Sequence, residues 1–421
     1  MIFMDLIKEN KKKRQFYNLM QVMKLDGFYL VEDKKITNGH ILKVGIPVTS
    51  NFKEFEKKKE ALEDYFGAIV ELEKIRFSSL IQMKIITKDI GKYPFAPVQT
   101  YANNFWLGKE FDTTDFFVDL DKEGHLLLGG QSGGGKTFGL AAMLTNLIAT
   151  NSDYIELYLN QTMKGEIGAF KKCKCVKSVC YTLEEVSLIL EKIAKKIDDR
   201  SKLFTELGIK NLTHYIQRTG KKMKRIFFVV EEASFLNISD ADSEEVKAIK
   251  QKCLDNFIKV VRAGRSSGVH LIMVVQRSTL ANLSSEIKAQ MFCATTWQRS
   301  DIDSKNIIEV TDAKTLQDRE LYVWSRTGLK LLKLPWLDED FKDLKKYVPE
   351  IITFGDVKVK VEKVKEKDTF ETYTDIRLED YNKIESKRKS KEVEEVTTVE
   401  LEPAKKKRGR PRKKGVVIDA N

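Results

Sequence analysis

The stretch HLLLGGQSGGGKTFGLAAML, residues 125–144, narrows the possible folds more than any other part of the chain. An apolar run ends in a glycine-rich turn, and a helix-patterned segment follows without a break. Gly130, Gln131, Ser132, Gly133, Gly134, Gly135, Lys136 and Thr137 spell G-x-x-x-x-G-K-T, in the strand-loop-helix setting that gives the pattern its meaning. Glycines let successive backbone N–H groups curl around a phosphate, and the helix that starts near Lys136 points its positive end at the same anion. Lys136 then neutralises β- and γ-phosphate oxygens, and Thr137 supplies a hydroxyl to Mg2+. The expectation is a site for ATP and Mg2+ on an α/β fold. A chance GKT in a glycine-rich turn would need both flanking elements to be accidental.

The surrounding chain supports that architecture. Between residues 99 and 345, apolar runs (HLLLGG, YIELYLN, RIFFVVEE, HLIMVVQ, MFCATTW) alternate with helix-patterned segments such as TLEEVSLILEKIAKKIDDRSKLF. That alternation predicts a parallel sheet covered on both faces. Residues 1–98 read as a small α/β subdomain, with FKEFEKKKEALEDYFGAIV as a helix and HILKVGIPVT and LIQMKIIT as strands. The loop KYPFAPVQTYANN, with its two prolines, marks the boundary. Residues 346–403 are charge-mixed and poor in apolar side chains, which predicts a largely disordered linker. Residues 404–421 form a basic tail.

Two acids follow the apolar run RIFFVV, at Glu231 and Glu232. Such sheets act at their strand ends. In a phosphate-loop ATPase one carboxylate there orients the Mg2+ shell and its neighbour polarises the attacking water, so Glu231 is the expected metal-side acid and Glu232 the expected base. The other reading makes them exposed acids that open the next helix. Gln276 ends the run HLIMVVQ, placed either to sense the γ-phosphate or simply to cap a strand.

No apolar run approaches the roughly 18 residues of a membrane span, and charge enters the N-terminus too early for a secretory signal, which predicts a cytoplasmic chain. The five cysteines, an odd number, suit a reducing compartment; the cluster CKCVKSVC reads as surface or strand cysteines, not a zinc site, because a fourth ligand is missing. The net charge of +12 favours a polyanionic partner, nucleic acid first.

Several segments together resemble the FtsK/SpoIIIE family of DNA-pumping ATPases. LGKEFDTTDFFVDLDKEGHLLLGGQSGGGKT is similar to the family's approach to its phosphate loop, and RSKLFTELGIKNLTHYIQ to its helix with a G-x-x-N-x-x-x-Y ending. IFFVVEEASFL resembles the second nucleotide motif. VRAGRSSGVHLIMVVQRST, followed by DIDSKNIIE, resembles the R-x-x-G-I-H-L-I-x-x-x-Q-R run and the later D-S-R-x-I-L. These segments come in the family's order over about residues 100–340. The resemblance implies a RecA-like phosphate-loop motor that assembles as a homo-hexameric ring and moves double-stranded DNA by ATP hydrolysis, with Gly130–Thr137 on nucleotide and Mg2+, Glu231 and Glu232 in hydrolysis, and Gln276 as sensor. It also sets Arg265 of GRSSGVH near a neighbouring subunit's nucleotide, although an ordinary helix-end arginine fits the same sequence.

Some positions depart from the family. Glu231 stands where aspartate is usual, Asn160-Gln161-Thr162 replaces a D-P-K turn, and LQDRELYVW replaces the glycine-rich turn before the last motor strand. The tail carries Arg408-Gly409-Arg410-Pro411-Arg412, which resembles an AT-hook for the minor groove of A/T-rich DNA; a generic basic tail is the alternative. The resulting expectation is an ATP-driven DNA translocase for plasmid, conjugative-element or phage DNA, helped by a membrane-anchored or relaxase-type partner. A DNA-bound nucleotide switch with little translocation is the alternative. A phosphate-loop kinase gains nothing from the Gln276 strand or the basic tail.

Overall fold

The computed structural model describes residues 2–162, 166–275, 288–326, 328–353 and 356. Its first part is a four-stranded antiparallel sheet. Strands β1 (Tyr29–Ile36), β2 (Gly39–Gly45), β3 (Ile69–Lys74) and β4 (Leu80–Ile86) lie in the order β1-β2-β4-β3. Helix α1 (Ile2–Val22) contributes Phe16 and Met20 to a core that also holds Phe28, Phe55, Leu62, Ile81 and Met83. The segment expected as one helix is instead two short ones, α2 (Phe52–Glu56) and α3 (Lys59–Phe66). Gly67, at φ 55°, ends α3 in the left-handed conformation, and the β-branched pair Ile69-Val70 then enters β3.

The second sheet has ten strands among the described residues: β5 (Asn104–Glu110), β6 (Asp115–Asp119), β7 (His125–Gly129), β8 (Ile155–Asn160), β9 (Val176–Cys180), β10 (Arg225–Val230), β11 (Val269–Val275), β12 (Met291–Thr295), β13 (Glu320–Ser325) and β14 (Gly328–Lys333). Their order is β6-β5-β14-β13-β12-β7-β11-β10-β8-β9. From β12 to β9 every pairing is parallel, while β13, β14, β5 and β6 extend the sheet antiparallel. The fold is therefore α/β as expected, with an antiparallel extension that periodicity did not reveal. Strands β7, β10, β11 and β12 are buried along their whole length, as continuous apolar runs in a sheet covered on both faces must be.

Helix α4 (Leu120–Glu123) is a single turn between β6 and β7. Helix α5 (Lys136–Asn151) fills one face and is buried nearly all round. On the other face lie α6 (Leu183–Glu206) and α8 (Glu244–Ser267), with α7 (Leu212–Thr219) between them in sequence. Thr182 and Glu185 close a capping box at the start of α6. Val348 and Ile351 pack onto the α5-side core, so the ordered chain continues beyond the last strand. All five cysteines are buried free thiols, Cys180 in β9, Cys253 in α8 and Cys293 in β12; none is the surface cysteine that the sequence also allowed.

The two sheets meet through a charged cluster. Lys84 of β4 donates to Asp112 at 2.7 Å and to Glu110 at 2.8 Å, while Lys330 of β14 lies 3.3 Å from Glu71 of β3. Burial pulls the Lys84 ammonium down, but the bonds to Asp112 and Glu110 outweigh it and hold the group above its ordinary value.

A second polar cluster is buried at the amino edge of the parallel strands. Arg225, which opens β10, donates to Asp121 at 2.6 Å, to Thr213 at 2.7 Å and to Nε2 of His270 at 3.0 Å. Because His270 accepts there, its Nδ1–H donates to the Gly124 carbonyl, 2.7 Å away. His125 Nδ1 likewise accepts from the Leu271 N–H at 3.0 Å. Both imidazoles are neutral. Burial pushes His125 down to about 4, and burial followed by the Arg225 charge holds His270 well below its ordinary 6.5.

Two predictions follow from this cluster. Asp121→Ala leaves a guanidinium that is 3% exposed without its carboxylate, and chemical denaturation should register a loss of about 3 kcal/mol or more. The unfolded chain takes up protons at these histidines below pH 6.5 while the fold refuses them. Stability is therefore complete above that pH and falls as pH drops from 6.5 toward 4, by up to about 1.4 kcal/mol per pH unit for each histidine; denaturation at pH 7, 6 and 5 measures the slope.

Candidate nucleotide-binding and catalytic site

The parallel register brings the carboxyl ends of β7, β11 and β10 to one edge, with Gly129 opposite Val275 and Val230 opposite Met273. The loop Gly130–Gly135 leaves β7 at that edge and enters α5. Gly130 (φ 146°), Gly133 (φ 81°) and Gly135 (φ 85°) occupy backbone conformations that side chains rarely adopt. Gly130 also has no room for one, since a Cβ there would stand 2.1 Å from Thr296 Oγ1. The residues after β12 brace the loop: Thr296 N–H donates to the Gly129 carbonyl and Gln131 N–H to the Trp297 carbonyl, both at 3.1 Å.

Helix α5 begins at Gly135 with no side-chain cap, so the first-turn N–H groups face the loop without an intrahelical or capping partner. That is an anion site made of backbone alone. Lys136 is buried and folds over the loop, donating to the Gly130 carbonyl at 2.5 Å and the Gln131 carbonyl at 2.8 Å. Burial lowers its ammonium, and the charge of Glu232 works the other way. Glu232 thus reaches the loop lysine electrostatically across the intervening strand β11.

Glu231 is engaged differently. Its two carboxylate oxygens accept the Glu166 and Ile167 N–H groups, each at 2.9 Å, and so hold the turn that starts Ile167–Phe170. Burial, then the Glu231 charge, raises Glu166. The Thr137 hydroxyl and these carboxylates are hard oxygen donors, the kind Mg2+ takes from protein when phosphates and water complete its shell. Among the described residues no three His, Cys, Asp or Glu side chains gather as an all-protein metal site.

Gln276 and Arg408–Arg412 lie outside the described residues. Arg265 sits at the opposite edge of the sheet, in the last turn of α8, where it donates to the Lys122 carbonyl at 2.9 Å. It lines a cavity of about 270 Å³ with Lys122, His125, Arg262 and Arg326. The five residues of β7 separate that edge from the phosphate loop by roughly 15 Å, so Arg265 does not meet the loop of its own chain. The sequence reading missed Thr296 and Arg319. Thr296 Oγ1 and Arg319 Nη1 are buried and lack a hydrogen-bond partner; Thr296 Oγ1 lies against Gly130 and Gly134, and the Cδ of Arg319 against Gly135. Only the departure of LQDRELYVW from a glycine-rich turn hinted at the second of them.

The strand order β12-β7-β11-β10-β8, with one strand between the loop strand and the acid-bearing strand, and the uncapped loop-helix junction define a phosphate-loop NTPase fold of the RecA-like class. Within that class, the model of the FtsK/SpoIIIE family matches residues 98–236. The chain is 25% identical over 252 residues to the DNA translocase FtsK of Helicobacter pylori strain J99, covering 58% of this chain and 29% of that protein. It is 22% identical over 219 residues to the DNA translocase SftA of Bacillus subtilis, covering 50% and 22%. It thus spans less than a third of the length of these relatives. Among solved structures, the pCW3 conjugation coupling protein TcpA in its monomer form with ATPγS shares the fold, with a TM-score of 0.57 and 17% identity over 80% of this chain and 99% of that one. EssC from Geobacillus thermodenitrificans gives a TM-score of 0.51 at 13% identity, over 62% of this chain and 50% of that one. Among the described residues no helix is long and apolar enough to cross a membrane.

Gly130→Ala forces a Cβ onto Thr296 Oγ1 at an unfavourable φ, whereas at Gly133 a Cβ meets open space and only the backbone strain remains. Thermal unfolding should show Gly130→Ala as the more damaging substitution, by about 1 kcal/mol or more, and nucleotide binding should fall with it.

Proposed function

We propose that the chain is an ATP-driven double-stranded DNA translocase, working as a homo-hexamer in the cytoplasm in the transfer or mobilisation of plasmid, conjugative-element or phage DNA. The observation that carries this reading is the phosphate loop and the Glu231-Glu232 pair at one sheet edge of an FtsK/SpoIIIE-family motor segment. Gly130–Thr137 bind ATP. Thr137 and Glu231 hold Mg2+, which would neutralise charge on the phosphates. Glu232, electrostatically linked to Lys136, orients and deprotonates the attacking water, and Gln276 senses the γ-phosphate.

Arg265, facing away from its own loop, serves the nucleotide of a neighbouring subunit. The names of the relatives, DNA translocases and a conjugation coupling protein, support duplex DNA as substrate and a relaxase-type or membrane-anchored partner. The net charge of +12 favours the same polyanion, and the tail at Arg408, Gly409, Arg410, Pro411 and Arg412 would insert into an A/T-rich minor groove.

One observation favours a nucleotide switch with slow turnover as the second reading. Both Glu231 oxygens are already committed to backbone N–H groups. Steady-state ATP hydrolysis with and without linear duplex DNA separates the two. The translocase reading expects strong stimulation that survives truncation before Ala404 and falls at least about a hundredfold in Lys136→Ala. Turnover indifferent to DNA favours the switch.

A further inference from the structure

Arg319 stands immediately before β13, in a segment where the family resemblance leads one to expect glycines. Its φ is +63°, in the left-handed region that side chains rarely adopt. The residue is 8% exposed, and its guanidinium lies 4.0 Å from the Phe138 ring centre and 5.0 Å from that of Trp336. The charge has little else to meet. Its carboxylate neighbour Asp318 approaches Nε only to 3.7 Å with a side chain 65% exposed, and Nη1 is buried without a hydrogen-bond partner. A buried cationic donor left unmade is expensive, and the backbone strain adds to that cost. Both are retained beside the uncapped start of α5, where a Cβ on Gly135 would touch Arg319 Cδ at 3.7 Å.

We propose that Arg319 is a nucleotide-binding residue acting in cis, its Nη1 donating to the α- or β-phosphate of the nucleotide held by the Gly130–Thr137 loop of the same chain. This rests on the reading of that loop as a nucleotide site. Phe138 and Trp336 fix the plane of the guanidinium, which leaves its edge to make a directed bond. In the strand order β13 lies on the opposite side of β7 from β10, which Glu232 follows, so a contact from Arg319 to the α- or β-phosphate should be felt alike by ATP and ADP.

Titration calorimetry of the full chain with ATP and with ADP tests the assignment on Arg319→Gln, Arg319→Lys and Arg319→Gly, with Lys136→Ala alongside. Arg319→Gln should weaken both nucleotides about tenfold or more, and Arg319→Lys should recover part of the loss. Arg319→Gly suits the positive φ, so it should keep its apo melting temperature near that of the parent while still binding nucleotide weakly. If Lys136→Ala loses binding and the Arg319 variants keep it, or if only ATP binding suffers, the assignment is overturned and the nucleotide site stands. Unchanged affinity in all four variants overturns both.

Discussion

Everything at the functional edge depends on one junction, where the buried strand β7 turns through glycines into the buried helix α5. A helix start without a side-chain cap leaves first-turn N–H groups with no partner inside the helix, which an anion can answer. The loop can approach closely because Gly130 has no Cβ where Thr296 packs, and because Thr296 and Gln131 tie the ends of β7 and β12 together. Lys136 folds its charge onto carbonyls of the same loop.

The parallel sheet then sorts charge between its two edges. At the carboxyl edge stand Lys136, Glu231, Glu232 and Arg319. At the amino edge, Arg225, Asp121, Thr213 and His270 form a closed hydrogen-bonded set, and Arg265 borders a cavity shared with Lys122, Arg262 and Arg326. The separation follows from strand length, because no side chain crosses a five-residue strand.

Much of this was legible from residues alone. The runs HLLLGG, YIELYLN, RIFFVVEE, HLIMVVQ and MFCATTW each contain a strand because a doubly covered sheet demands continuous apolar segments, and the G-x-x-x-x-G-K-T run joins strand to helix because Gly130, Gly133 and Gly135 take positive φ values that side chains rarely adopt. The half-buried strands were harder to see. β13, β14, β5 and β6 mix charged and apolar residues, since their burial comes from neighbours far along the chain. The single helix expected over residues 52–70 breaks at Lys57-Lys58 and ends at Gly67, and its last apolar residues pair with β4 instead. Local periodicity is blind to such a partner.

The sequence by itself determined the phosphate loop, its strand and helix, the acidic pair after β10 and the basic character of the chain, because each depends on residue type at short spacing. Tertiary structure decided which groups share a space. It set Glu232 in electrostatic reach of Lys136 and gave both Glu231 oxygens to residues 166–167. It carried Arg265 to the far edge, and it brought Arg319 from 184 positions downstream of Gly135 into contact range of the loop (319 − 135 = 184). The reason is physical: strand order and register fix those distances, and both come from burying side chains that lie hundreds of residues apart.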